Sequence, residues 1–310
     1  MPNSRDIKQR IQSVKSTQQI TKVMKVVSAA KLHKAQAAAF AARPYSLKLA
    51  QVIGRIMDCP QDEQNPLMAQ RPCRRAAIIL MTGNRGLAGG FNGNLIRLAL
   101  ETAEAKYKGC PVDFIPFGSK GRDFLRNRGK PMPAEFIKIS DVPLFAETKP
   151  VALHGMEGFL AGTYDAVDIV YQAFLSPGHQ EPRVRPLLPL VFDRQPKEKP
   201  GPGKTLDYLY EPDAAGVLQV LIPKYINNLV FQAALETKAG EYVARLMAMG
   251  AATDNAEKMI SALVLSYNRS RQAAITKELS EIMGGAAALE QLEKEAEAEE
   301  EEEKTVTEAS

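Results

Sequence analysis

The stretch IKQRIQSVKSTQQITKVMKVVSAAKLHKAQAAA, residues 7–39, decides the architecture of this chain. It contains no proline and is rich in alanine, lysine and glutamine, which favour an α-helix. Apolar residues first recur at steps of four and three, as in the seam of a coiled coil. From Ile20 onward a second apolar stripe replaces the first, so more than one face of the helix should make contacts. We predict a long helix with a kink or break at Pro44.

The carboxyl-terminal part predicts a second long helix. Pro223 is the last proline, and helical patterning continues to residue 289. A helix of about 75 residues would be roughly 110 Å long, which no globular core of this size could bury. It must therefore pair with the first helix and with other chains. We predict an antiparallel coiled coil formed by residues 1–58 and 213–289.

Residues 59–212 have the pattern of an α/β domain. Separate apolar runs alternate with helical segments, which argues for a mostly parallel and covered sheet. The fold class is thus α/β, with a Rossmann-like central domain between two long terminal helices. The predicted sheet has five strands, at residues 76–81, 112–117, 136–139, 166–175 and 185–192.

Charge is distributed unevenly along the 310 residues. Residues 290–310 contain ten Glu and two Lys, a net charge of −8. Because the whole chain carries +4, residues 1–289 carry a net charge of +12. Residues 1–57 hold eleven Lys and Arg against one acid, which favours an acidic partner. We predict that the acidic tail is disordered or extends the helix. No run of 18 uncharged apolar residues occurs, so no membrane span is expected.

A glycine loop, TGNRGLAGGFNGN at residues 82–94, follows the first predicted strand. Its spacing matches neither dinucleotide-binding nor P-loop patterns, so we interpret it as a tight strand-to-helix turn, with Arg85 as a candidate contact residue. No catalytic constellation is evident, and the three cysteines have no metal-ligand spacing. We therefore expect no catalytic residue, no cofactor and no metal in this chain.

Four segments carry a family resemblance across residues 1–289. They are residues 7–32 with ITKVMKVVSAAKL, the glycine loop, DYLYEP at residues 207–212, and AATDNAEKMI with SRQAAITKELSEIMGGAAAL at residues 251–289. Together they resemble the γ subunit of F-type ATP synthase, of the bacterial type. The acidic tail departs from the family pattern, which usually ends near residue 289.

The resemblance implies a central-stalk rotor subunit that is not itself catalytic. It would transmit rotation of a c-ring to the α3β3 hexamer and so couple proton or sodium flow to ATP synthesis. By the family pattern, Met24, Lys22, Lys25 and Arg85 meet the β subunits, as do Arg271 and Gln272 at a β catch loop. The family pattern also assigns contacts with the c-ring and the ε subunit to Tyr208, Tyr210 and Glu211.

The resemblance also implies the partners and the location. The partners are the α and β subunits, ε and the c-ring, with δ as a further candidate for the acidic tail, and one copy per complex. The chain would be peripheral to the bacterial inner membrane, on its cytoplasmic side, and would bind no nucleic acid. Two other classes remain open from the residues alone: a coiled-coil adaptor or nucleic-acid tether with an α/β knob, and a small nucleotide-binding enzyme.

Overall fold

The computed structural model of the chain describes residues 4–57, 65–191, 211 and 213–308. Its helices are α1 (Ser4–Met57), α2 (Phe91–Lys106), α3 (Ser119–Asn127), α4 (Phe145–Leu160) and α5 (Ala214–Glu308), with a short 3₁₀ helix at Pro66–Met68. Its strands are β1 (Ala76–Met81), β2 (Val112–Phe117), β3 (Ala166–Ser176) and β4 (His179–Leu188). The chain divides into two compact units: residues 23–250 form an α/β unit, and residues 1–22 with 251–310 form a helical unit.

The sheet of the α/β unit has the strand order β2-β1-β3-β4. Strands β2, β1 and β3 are parallel, whereas β3 and β4 form an antiparallel hairpin. Every residue of β1 is buried, as expected for a central parallel strand that is covered on both faces. The prediction of a mostly parallel sheet in a mixed α/β fold is thus confirmed.

The predicted number of five strands is wrong, because the described sheet has four. The run at residues 136–139 makes a single parallel bridge, from Phe136 to Phe117, and does not continue as a strand. The predicted last strand, residues 185–192, begins earlier, at His179, and returns beside β3 through a tight turn at Pro177 and Gly178. The start of β4 contains polar residues and proline, because it lies at an exposed edge of the sheet where no apolar run is required. The sequence pattern therefore did not indicate this hairpin.

Each face of the sheet packs against a separate hydrophobic cluster. Ala77, Ile79 and Met81 point to one face, where α1, α4 and the start of α5 cover them. The alternate residues of β1 point to the other face and pack against α2 and α3. This alternation follows from the two-residue period of a strand.

Within the α/β unit, α1 and α5 run antiparallel. Asn228 Nδ2 on α5 donates to Ser46 Oγ on α1. Further along, Lys25 lies beside Gly250, with its Nζ 3.8 Å from the position that a Cβ on Gly250 would take. Helix α1 also continues through Pro44, so the predicted break does not occur. Buried residues on both sides, such as Ala39 and Leu49, hold the helix to the core at this point.

The helical unit consists of the beginning of α1 and the later part of α5. Thr21 Oγ1 and Thr253 Oγ1 share a hydrogen bond of 2.9 Å, and Ile7 and Ala256 are buried. Residues 271–292 of α5 are all exposed. The helix continues to Glu308, over the residues for which the sequence predicted disorder or a helical extension.

One described helix, α5, is long and apolar enough by length and composition to cross a membrane. Its most apolar window has a mean hydropathy of 1.2, and 44% of that window is buried inside the protein. The buried residues of α5 pack against α1 and the sheet, as the core helix of a folded domain does.

Candidate functional site

The glycine loop, residues 82–94, forms the turn after β1 and the first turn of α2. The Gly83 N–H donates to Asn92 Oδ1 over 2.9 Å. Asn84 donates through Nδ2 to the carbonyl of Ile137 and accepts from the backbone N–H of Ser119, each over 2.9 Å. The loop therefore uses its polar groups to fix its own path, as the interpretation of a tight turn requires.

A buried network of charges on α5 lies directly against this loop. Glu241, only 2% exposed, accepts from Lys238 Nζ over 2.8 Å and from Arg245 Nη2 over 2.6 Å. The three residues are spaced by three and four along the helix, so they share one face. Buried charges are stable only when paired and hydrogen-bonded, and here one carboxylate serves two cations.

Arg245 connects this network to the loop. Its Nη2 donates to the carbonyl oxygen of Gly86 over 3.2 Å and lies 3.4 Å from that of Arg85. On the other side, a Cβ added to Gly83 would lie 2.8 Å from the carboxyl carbon of Glu241. Glycine is thus needed at residue 83 because the α5 carboxylate occupies the space of a side chain. We call Glu241 and Arg245 the loop clamp.

The loop clamp holds a strained and exposed tip. Leu87 has a φ of 61°, in the left-handed region that a bulky residue rarely adopts, and the residue is 62% exposed. Arg85 is exposed beside it. Such strain persists only where the surroundings enforce it, and it concentrates at functional sites. The sequence singled out Arg85 but missed Leu87 and the loop clamp. The available signal was three charges at helical spacing in a segment otherwise rich in small and apolar residues.

Met24 and Lys25 lie on α1 in the same unit. Met24 is half-buried and Lys25 is exposed. Lys25 lies beside Gly250, while Gly89 of the glycine loop lies beside Ala248. The structure therefore brings Lys25 and the glycine loop to the same short stretch of α5. Met24 is flanked on α1 by three exposed valines, Val23, Val26 and Val27, so this part of α1 presents an apolar surface to solvent.

A further ionic contact links α1 and α5 through the loop before α4. Asp141, in the loop before α4, accepts from Lys31 Nζ on α1 over 2.7 Å and from the hydroxyl of Tyr242 on α5 over 2.9 Å. The hydrogen bond from Lys31 is the main cause that lowers the pKa of Asp141 below its ordinary value. Burial, followed by the bond to Asp141, raises the pKa of Tyr242. One carboxylate thus links both long helices.

The other predicted contact residues lie elsewhere. Lys22, Arg271 and Gln272 are exposed in the helical unit, and Glu211 is exposed just before α5. Tyr208 and Tyr210 lie outside the described residues. Beyond Gln272, α5 carries exposed apolar side chains at helical spacing, at Ile275, Leu279, Ile282, Met283 and Leu289. An apolar stripe on an exposed helix is typical of a surface that a partner covers.

Comparison with known proteins gives the class of this chain. A family model described as ATP synthase matches residues 3–289. The ATP synthase gamma chain of Pelotomaculum thermopropionicum is 47% identical over 290 residues, which cover 94% of this chain and 100% of the relative. The gamma chain of Moorella thermoacetica is 46% identical, over 93% of this chain and 100% of the relative. The chain therefore belongs to the ATP synthase gamma chain family.

Solved structures agree on the fold. The rotor of the Euglena gracilis mitochondrial ATP synthase contains a chain with a TM-score of 0.62 and 20% identity, over 88% of this chain and 98% of that one. A central-stalk chain from Tetrahymena thermophila mitochondrial ATP synthase gives 0.55 at 20% identity, over 75% and 99%. The relatives give no support to an adaptor or a nucleic-acid tether.

Proposed function

We propose that this chain is the central-stalk rotor subunit of an F-type ATP synthase. It transmits rotation of the c-ring to the α3β3 hexamer and so couples proton or sodium flow to ATP synthesis. The observation that carries this proposal is the match to gamma chains along 94% of the sequence at 47% identity. The exposed apolar surfaces on α1 and α5 support it, because a shaft must offer faces to the subunits around it.

The proposed rotor performs no bond chemistry of its own. It works by contacts that differ from one β subunit to the next, which is the condition for biasing their conformations. Among the described residues, no group of three or more His, Cys, Asp and Glu side chains could hold a metal ion. The proposal assigns catalysis to the other subunits of the complex.

The proposed β contacts divide into two sets. Arg85 is displayed at the tip of a clamped loop and Lys25 is exposed on α1, and we assign both to an acidic loop of β because both are accessible cations. Met24 offers the apolar part of that contact. Lys22, in the helical unit, is proposed as a separate ionic contact with β. Arg271 and Gln272, exposed on α5, would meet the catch loop of β.

Tyr208, Tyr210 and Glu211 are proposed to contact the c-ring and the ε subunit. The rotor would then touch the membrane only through the c-ring, on the cytoplasmic side of the bacterial inner membrane. The acidic tail is proposed to meet a basic neighbour such as the δ subunit. Deletion of residues 290–310 should then weaken δ binding; unchanged assembly, δ content and ATPase rate would exclude this role.

Co-purification tests the main proposal. An affinity tag on this chain should recover the two larger nucleotide-binding chains in the ratio of one rotor to three of each. Vesicles that contain the complex should pump ions when they hydrolyse ATP. Recovery of the chain without these partners, under conditions in which the hexamer is intact, would refute the assignment.

A further inference from the structure

Two cysteines of the α/β unit lie side by side at the edge of the sheet where the parallel strands begin. Cys73 precedes β1 and Cys110 precedes β2, the strand next to it. The thiol of Cys110 donates to the carbonyl oxygen of Cys73 over 3.0 Å, and a hydrogen bond also joins the two thiols. Both are free cysteines, and both are half-buried. The two side chains are therefore in contact although they lie 37 positions apart in the sequence.

The backbone at this edge suits a disulfide between the two cysteines. The Ala76 N–H donates to the carbonyl oxygen of Pro111 over 3.1 Å, so the two segments are already adjacent one residue beyond Cys110. Neighbouring strands lie about 4.8 Å apart, and a disulfide joins Cα atoms that are roughly 4.4–6.8 Å apart. The two thiols can therefore be joined without rearrangement of β1 or β2.

The surroundings of the cysteine pair carry positive charge. Arg74 follows Cys73, and Lys108 lies two residues before Cys110; both are exposed. Neither forms an ion pair with any residue that the structure describes. Three more cations of the same two segments are each paired with a buried aspartate: Arg71 with Asp165, Arg75 with Asp113, and Lys106 with Asp168. An anionic reagent should therefore approach the pair more readily than a cationic one.

We propose that Cys73 and Cys110 form a reversible disulfide by exchange with a small anionic disulfide, R–S–S–R. In the first step the Cys110 thiolate attacks one sulfur of the reagent, so that a mixed disulfide forms and RS⁻ leaves. In the second step the Cys73 thiolate attacks Cys110 Sγ, displaces the second RS⁻ and closes the protein disulfide. The protons lost by the two cysteines go to the two RS⁻ groups. One reagent disulfide is thus reduced to two thiols while the cysteine pair loses two electrons.

The order of the two steps follows from the environment of Cys73. Burial is the main cause that raises the pKa of this thiol to about 11, so little of its thiolate is present at neutral pH. Cys110 also raises that pKa, and this contribution ends once Cys110 is held in the mixed disulfide. The second attack is intramolecular, between side chains already in contact, which offsets the low fraction of thiolate.

The disulfide encloses β1, the glycine loop and α2 in one covalent loop. A cross-link of this kind stabilises a protein mainly because it restricts the unfolded chain. The exposed tip of the glycine loop lies at the other end of β1, so the disulfide leaves Arg85 and Leu87 accessible. Oxidation should therefore make the chain more resistant to unfolding, and this effect does not depend on the proposed rotor function.

Peptide mapping of the full chain tests this proposal. The reduced chain is incubated with oxidised glutathione, which is anionic, and is then digested without reduction by a glutamate-specific protease. Cleavage after Glu63 separates Cys59 from Cys73. A peptide pair joined through Cys73 and Cys110 should be the main product in the wild type and in the matched control Cys59→Ser, and dithiothreitol should remove it. Cys73→Ser should instead accumulate glutathione on Cys110.

Two further measurements test the charge preference and the effect on stability. At low ionic strength, oxidised glutathione should form the disulfide several-fold faster than cystamine, a cationic disulfide, and the difference should shrink at high salt. The oxidised wild type should unfold at a higher denaturant concentration than the reduced wild type. Cys110→Ser should show no such shift after the same treatment.

Three results would overturn the proposal. The peptide pair joined through Cys73 and Cys110 could be absent from the oxidised wild type. Cys59 could be joined to either cysteine as often as the two are joined to each other. Cystamine could react as fast as oxidised glutathione at low salt. The wild-type chain gives all three results, so the test does not depend on the folding of a serine variant.

Discussion

Arg245 joins two parts of the α/β unit: its guanidinium donates to the buried carboxylate of Glu241 over 2.6 Å and to the carbonyl oxygen of Gly86 over 3.2 Å. The first contact anchors the arginine within α5, and the second fixes the backbone of the glycine loop. The position of Arg85, the neighbour of Gly86, therefore depends on a charge pair that is buried within the α/β unit.

Glu241→Gln should destabilise the chain by about 3–5 kcal/mol, because it leaves Lys238 and Arg245 buried without a counter-charge. Denaturant unfolding of the purified chain measures this loss. Lys277 and Glu281 form an exposed pair on the same helix, 3.5 Å apart. Glu281→Gln should therefore cost less than about 1 kcal/mol. Equal effects of the two substitutions would contradict the buried network.

Gly83→Ala and Gly86→Ala should differ, although both change a glycine of the same loop. An added methyl group at residue 83 would meet the Glu241 carboxylate at 2.8 Å, and overpacking of this kind costs about 1–3 kcal/mol. At Gly86 no atom lies within 4 Å of the added methyl group, so the change should stay within about 0.5 kcal/mol. Thermal unfolding of the two variants checks the order.

Met24→Lys should impair coupling more than folding. Met24 is half-buried and lies between exposed valines, so a lysine there can keep its charge near solvent but presents it to the β subunit. We expect a lower ratio of ions pumped to ATP hydrolysed at a near-normal yield of complex. Normal synthesis and normal pumping in the variant would remove Met24 from the proposed contact.

The Cys73 thiol should react slowly at neutral pH. Burial is the main cause that raises its pKa to about 11, and the neighbouring thiol of Cys110 adds to it. Only the thiolate is nucleophilic, so alkylation should quicken about tenfold per pH unit up to roughly pH 10, where an ordinary cysteine would already level off. Peptide-resolved mass spectrometry after iodoacetamide treatment measures the rate, and Cys110→Ser should lower the apparent pKa. A plateau near pH 9 in the wild type would contradict the raised pKa of this thiol.

Much of the fold could be predicted from local patterns. The long proline-free run at residues 7–39 predicts α1, and the short apolar runs bounded by loops predict β1, β2 and β3, because run length and flanking residues separate a strand from a helix. The β4 hairpin could not be predicted in this way, since an edge strand rich in polar residues and proline has no apolar pattern. The family motifs singled out Arg85 and Met24, but they gave no indication of Leu87, whose left-handed backbone is imposed by contacts distant in sequence.

Local sequence patterns account for the long terminal helices, the α/β character of the middle and membership of the gamma chain family, because these depend on periodicity and on motifs that lie within short segments. The tertiary structure alone decided which charges are buried. Lys238, Glu241 and Arg245 have the spacing of an ordinary solvent-exposed helix face, and only the packing of the glycine loop over α5 removes them from water. Whether a residue is buried depends on which other segment packs over it, and the local pattern of either segment does not predict that packing.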